Sequence, residues 1–224
     1  MAPEETASPV AAQHPENTFT RLMRRQWVDK SLAALACLPF VIPFLAALQK
    51  FHFDIPNTVF LLQISLCALT LLIRRTPVRV TSDPLLWLLT LVSTYWGFLT
   101  IGFWTPGIHL GPLWITDSLA ITSLVIVVWA RISLGRNIGL VPAQRKIVTD
   151  GAYRFVRHPI YTAVFFSTVA SALDNYSPSN AGLFSLGIFW WIVKSLVEEN
   201  FLRKDPEYAA YLRRVRWRWF PGII

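Results

Sequence analysis

The chain has 224 residues, 54% of them hydrophobic, with 10 Trp, 15 Phe and a formal net charge of +8. Its charges crowd between long apolar runs, a pattern that excludes an ordinary soluble globular domain and points to a protein with several membrane spans. Cys37 and Cys67 both fall inside apolar segments, where a thiol acts as a small hydrophobe, and neither a CxxC pair nor a Cys/His cluster occurs, so neither a disulfide framework nor a metal site is expected.

Residues 1–20 are polar, rich in Ala, Pro and Glu, and lack the basic start, apolar run and cleavage site of a secretory signal. They are expected to be a disordered part of a polar cytoplasmic N-terminal tail that runs to residue 30. Six apolar stretches follow, at residues 31–48, 58–73, 84–103, 113–132, 159–173 and 181–197. The expected fold is therefore all-α, a polytopic membrane helix bundle of about six transmembrane segments. Spans one to four occupy residues 31–133, and a C-terminal region at 134–224 holds the last two. The first four spans carry no recognisable chemistry, and Pro39 and Pro43 are expected to bend span one. A helix crossing the hydrocarbon core needs about 20 residues. The last two spans are shorter, which predicts a hairpin reaching part way unless flanking residues extend it.

Basic residues set the orientation. Arg21, Arg24, Arg25 and Lys30 precede span one, Arg74, Arg75 and Arg79 follow span two, and a run of basic positions from Arg131 to Arg157 follows span four; of the 21 Lys and Arg, only Lys50 falls on the opposite side. The positive-inside rule then puts both termini in the cytoplasm.

The last two spans concentrate the ionisable groups. Pro159 suits the first position of a helix, which places Arg157 and His158 just before a helix N-terminus, where unpaired amides favour an anion. Span six returns antiparallel and ends at Glu198 and Glu199, at the same cytoplasmic level as His158. Ionisable groups at membrane depth are costly and seldom kept without a function. A zwitterion would fit between these poles, its carboxylate toward Arg157 and its cationic groups toward the glutamates. S-adenosylmethionine is one such molecule among many. No GxGxxG turn follows a strand, so a Rossmann-type enzyme is excluded on motif and on fold class.

Five pieces of sequence in fixed order carry a family resemblance: Leu134, Gly135, Arg136 and Asn137; Ile147 to Tyr153; Arg157, His158, Pro159, Ile160 and Tyr161; Glu198 and Glu199; and Tyr208 and Tyr211 ahead of a basic stretch and Pro221. Over roughly Leu134 to the C-terminus the chain resembles the isoprenylcysteine carboxyl methyltransferase family and the related membrane phospholipid N-methyltransferases. The resemblance implies methyl transfer from S-adenosyl-L-methionine at the cytoplasmic membrane face, to a lipid or prenylated substrate that arrives sideways from the bilayer. It implies a cofactor lined by Lys146, Ile147, Val148 and Tyr153, by the run His158 to Tyr161, and by Glu198. It also implies that Lys194, four positions before Glu198, holds the substrate carboxylate.

Four positions depart from the family pattern: Ala163 and Ala152 stand where glycine and proline are usual, Lys194 where arginine would offer a bidentate fork, and Asp205–Pro206 where a glycine turn is common. A carboxylate acceptor is already ionised and needs only a cation to place it. An amine acceptor needs a general base, for which His158 or Glu199 is the candidate. Carboxyl O-methylation of an isoprenylcysteine-like or other lipidic substrate leads. Phospholipid N-methylation and an NADPH-dependent reductase of the sterol-reductase type are the alternatives from enzymes, and a transporter or scaffold is the alternative without turnover.

Elsewhere the plainer reading prevails. Trp87, Trp96, Trp104, Trp114, Trp190 and Trp191 are expected to be interfacial or lipid-facing packing. His52 and His109 lie in loops without ligand spacing. Residues 207–218 place Tyr208, Tyr211, Leu212 and Val215 on one helical face, which predicts an amphipathic interfacial helix whose arginines meet anionic lipid and no nucleic acid.

Overall fold

Proline and its preceding residue set where the helices begin. Pro84, Pro159, Pro178 and Pro206 each open a helix, at a position where a missing N–H costs nothing and the fixed φ is already helical. In three cases the residue before the proline caps the exposed amides: Asp83 Oδ1 accepts from Leu85 N at 2.9 Å, Ser177 Oγ from Asn180 N at 3.1 Å, and Asp205 Oδ1 from Glu207 N at 2.7 Å.

The structure, a computed structural model, describes residues 18–49, 55–100 and 103–223. Among these the helices are α1 (Thr18–Met23), α2 (Gln26–Gln49), α3 (Ile55–Leu72), α4 (Pro84–Leu99), α5 (Leu113–Leu134), α6 (Pro159–Asp174), α7 (Pro178–Leu202) and α8 (Pro206–Arg214). Two short strands, β1 (Arg79–Val80) and β2 (Ala143–Gln144), pair antiparallel with Arg79 opposite Gln144.

α5 packs along α6, and α4 against α7, while α3 bridges α2, α5 and α6. Small residues let the α5–α6 pair close: Ala120, Ser123, Ala163 and Ala170 are buried, and Ser123 Oγ donates to Ala163 O at 2.7 Å while taking a hydrogen bond from Gln63 Nε2 at 2.6 Å. The departure at Ala163 thus keeps the small side chain that this contact needs.

The two ends of the bundle differ in chemistry. At one end meet the start of α2, the end of α3, the β1–β2 pair, the end of α5, the start of α6, the end of α7, and α8. Here Lys30 Nζ donates to Leu72 O and Arg74 O at 2.8 and 2.9 Å, and Arg74 Nη2 lies 2.8 Å from Asp29 Oδ1. The opposite end joins the α4–α5 loop to the α6–α7 turn, through an Ile108–Tyr176 bridge and through Asn180 Nδ2 donating to Thr105 O at 2.9 Å.

α5 and α7 are long and apolar enough to cross a membrane, and only 28% and 22% of their most apolar stretches are buried. Leu113, Val125 and Ile132 on α5 are among the exposed apolar side chains. Such surface has no stable place in water and is ordinary against lipid.

The elements differ from the sequence expectation in three places. Residues 18–23 and 26–30, expected within a tail, are helical, because Asp29 is buried against Arg74 and anchors the start of α2. The last span is 25 residues long, since Ser177 and Pro178 start α7 earlier and the helix runs on to Leu202. α8 ends at Arg214, not at 218, and residues 215–219 leave the helix because their carbonyls are taken by the chain ahead of α6: Arg157 N donates to Trp217 O and His158 N to Arg218 O, both at 2.9 Å. The apolar face of α8 is turned onto the protein, where Tyr208, Tyr211 and Val215 form a buried cluster with Ile147, Tyr153 and Leu202. His52 lies outside the described residues, and the α2 helix continues through Pro39 and Pro43.

Candidate functional site

Helical spacing on α7 builds one wall. Trp191, Lys194, Glu198 and Leu202 recur every three or four residues, so all four share a face, and all four line a cavity of about 200 Å³. The loop after α5 and the start of α6 supply the facing wall: Lys146, Ile147, Val148, Tyr153, Arg157, His158, Ile160 and Tyr161 line the same space. α8 closes it with Tyr208 and Tyr211, and α5 and α4 contribute Arg131 and Thr94. Ten of the residues singled out in the sequence are thereby gathered around one cavity; Pro159 and Glu199 are not in its lining.

The polar groups are held by named partners. Tyr161 Oη donates to Glu198 Oε2 at 2.7 Å, and its ring packs 5.3 Å from those of both Trp191 and His158. Lys194 is only 4% exposed; its Nζ donates to Thr94 Oγ1 at 2.7 Å and sits 5.3 Å over the Trp191 ring.

Glu199 faces away from the cavity and is 1% exposed. Arg218 binds it in the bidentate manner, Nε to Oε1 and Nη2 to Oε2 at 3.1 Å each. His158 Nε2 lies 3.1 Å from Oε1, and Arg157 Nη1 3.6 Å from Oε2. The Arg157 guanidinium is otherwise spent on the end of α8, donating to Val215 O at 2.7 Å and Leu212 O at 3.0 Å. The sequence paired Arg157 and Glu199 with a ligand; in the fold they pair with each other and with the C-terminal segment, because the stretch at 215–219 is bonded to the start of α6.

Burial shapes the phenols that line the site. It pushes Tyr153, Tyr208 and Tyr211 well above the usual phenol range; Glu198 adds to this at Tyr153, and Glu199 at Tyr208. All three stay neutral near physiological pH. Tyr211 Oη donates to Tyr153 O at 2.8 Å and ties α8 to the loop.

Five buried side-chain atoms lack a hydrogen-bond partner among the described residues, and three of them, Arg131 Nε, Asn137 Oδ1 and Arg145 Nη1, belong to residues of this cavity wall. Buried polar atoms are nearly always satisfied, so these three are hydrogen-bonding capacity left unmet in the wall. Sequence reasoning missed Arg131, Arg145 and Trp191. Trp191 could have been found from the spacing it shares with Lys194 and Glu198; the two arginines were visible only as positive flank.

Residues 112–207 match the family model described as phospholipid methyltransferase. This is a family of membrane methyltransferases, related to the isoprenylcysteine carboxyl methyltransferases, and the resemblance read from the sequence is to the same group. The phospholipid methyltransferase match begins just ahead of α5 and ends in the first turn of α8. It therefore contains the cavity wall from Arg131 to Leu202. No curated protein matches the chain. The apolar helices and the phospholipid methyltransferase match together support a membrane protein.

Proposed function

We propose that this protein is a multi-pass membrane methyltransferase that uses S-adenosylmethionine and methylates a carboxylate on a lipidic, isoprenylcysteine-like acceptor, with both termini in the cytoplasm. The observation that carries the reading is the pair Lys194 and Glu198, one helical turn apart and both on the cavity wall. They offer a cation for an acceptor carboxylate and an anion for the cationic end of a zwitterionic cofactor. The residues fit that cofactor in three further respects: unpaired donors on Arg131 and Arg145, an unpaired acceptor on Asn137, and apolar walls from Ile147 and Val148.

When bound, the cofactor supplies an electrophilic methyl group on a sulfonium. The chain does the positioning. Glu198, fixed by Tyr161, places the cationic end, and Lys194, fixed by Thr94, places the acceptor carboxylate. Tyr153, Tyr208 and Tyr211 exclude water, so positioning and desolvation supply most of the rate. A carboxylate acceptor needs no general base, which suits a site whose two candidate bases, His158 and Glu199, are bound to one another.

The family match favours a second reading, N-methylation of a phospholipid amine. Glu198 would then take the proton from the amine. Membranes containing the protein, incubated with methyl-labelled S-adenosylmethionine, separate the two: a carboxyl ester releases labelled methanol in base, whereas an N-methyl group stays. Calorimetric titration of the purified protein tests the shared part. Absence of S-adenosylmethionine binding, or unchanged binding in Glu198→Ala, would count decisively against it.

A further inference from the structure

The buried charges at the β1–β2 end of the cavity do not balance. Asp29, Arg74 and Arg145 are all buried, and one carboxylate serves both guanidinium groups: Asp29 Oδ1 lies 2.8 Å from Arg74 Nη2 and 3.8 Å from Arg145 Nη2. Arg145 is held rigidly, its Nε donating to Arg75 O at 2.7 Å. Its remaining nitrogen, Nη1, is buried and has no acceptor, although the side chain lines the cavity. Arg131, on the same wall, donates through Nη1 to Thr70 and leaves Nε unpaired. Desolvation first, and the like charge of Arg74 second, push the Arg145 guanidinium down to about 10, so it is still a cation near neutral pH. Arg145 is thus a buried cation with an unpaired N–H in the wall of a cavity, where an anion would complete it.

Arg157 does not answer that need from the other side, because its guanidinium is taken by Val215 O, Leu212 O and Glu199. We infer that Arg145, with Arg131 on the same wall, forms an anion subsite that takes the carboxylate of the bound cofactor and fixes which way round the cofactor lies. This inference rests on the proposed function. It gives the cavity two opposite poles, Arg145 for the carboxylate and Glu198 for the cationic end. Arg145 is a binding and positioning residue in this scheme, and no bond is made or broken at it. A lipid phosphate carries similar chemistry, and the test separates the two anions.

The test is calorimetric titration of the purified full chain with two ligands, S-adenosylhomocysteine and 5′-methylthioadenosine, which lacks the amino-acid end. In Arg145→Gln the affinity for S-adenosylhomocysteine should fall tenfold or more, the range of a charge-assisted hydrogen bond, with methylthioadenosine within about twofold of wild type. Because Arg145 also contacts Asp29 and Arg75, a second variant crowds the guanidinium without removing its charge. A Cβ at Gly139 would come 2.5 Å from Arg145 Nη1, so Gly139→Ala displaces the guanidinium from its place in the wall and should give the same selective loss. Equal loss of both ligands in both variants, or unchanged S-adenosylhomocysteine affinity, overturns the inference. Unchanged nucleoside binding with a tenfold weaker hold on dihexanoyl phosphatidylethanolamine also overturns it, and gives the subsite to the lipid phosphate. Failure of the wild type to bind either nucleoside removes the proposed function itself, which is a separate result.

Discussion

Neighbouring residues on an α-helix point about 100° apart, so Glu198 and Glu199 cannot serve one space. Glu198 belongs to the cavity wall and Glu199 to a buried knot of Arg157, His158 and Arg218. Their substitutions should therefore separate. Glu199→Ala strands buried positive charge and should lower stability by about 3–5 kcal/mol, read by thermal unfolding in detergent. Glu198→Ala should leave the unfolding midpoint nearly unchanged while abolishing measurable cofactor binding. Lys194 gives a second test. If it places an acceptor carboxylate, Lys194→Met should cost roughly 10- to 100-fold in kcat/KM, mostly through KM, and Lys194→Arg should restore part of it. The sequence named Glu198, Glu199 and Lys194, but assigned Glu199, together with Arg157, to a ligand. Nothing in one chain shows that Arg157 and Glu199, 42 residues apart, will pair with each other while Arg218 takes both oxygens of the glutamate.

Segment 215–219 acts as a strap between elements. Besides the two backbone bonds to Arg157 and His158, Trp219 O accepts from Thr162 Oγ1 at 2.5 Å, so the strap runs along the first turn of α6. Truncation after Arg214 should leave the helical circular dichroism signal in place and weaken S-adenosylhomocysteine binding by 100-fold or more. The loop ahead of α6 has its own constraint at Gly151, whose φ of 61° is open to glycine and whose added Cβ would fall on Ser133 Oγ. Ser133 Oγ already accepts from Ala152 N at 3.0 Å and donates to Trp129 O at 2.8 Å. Gly151→Ala should cost about 2 kcal/mol or more of stability, checked by chemical unfolding. Helix starts at Pro84 and Pro159 were legible, because proline and capping chemistry are local. The end of α8 was not, because an amphipathic pattern continues through Trp217 while a partner distant in sequence claims the carbonyls there.

Among the described residues the basic loops lie at one end of the bundle and the α4–α5 and α6–α7 connections at the other, as the proposed topology expects. Single cysteines at Ile108 and Arg213, in a background without Cys37 and Cys67, should react with an impermeant maleimide from opposite sides of sealed membranes; equal labelling would refute the proposed topology. The phenols around the site stay neutral between pH 6 and 9, so replacing Tyr153, Tyr208 or Tyr211 with Phe should leave the pH dependence of activity unmoved in that interval. Helical class could be read from the apolar runs and proline punctuation, whereas most of the cavity lining was named through the family resemblance. The cluster of Asp29, Arg74 and Arg145 could not, since it joins the start of α2 to two loops through contacts spanning up to 116 residues.

The strap has a consequence for how the protein is made. Residues 215–219 follow the described helices in chain order, and a ribosome adds them after α6 and α7, at about 5–20 residues per second. Until they arrive, the amides of Arg157 and His158 lack the carbonyls of Trp217 and Arg218, and Glu199 is a buried anion without its bidentate arginine. On the proposed function, the nascent chain therefore lacks a completed site until this segment arrives, and competence to bind cofactor follows its docking.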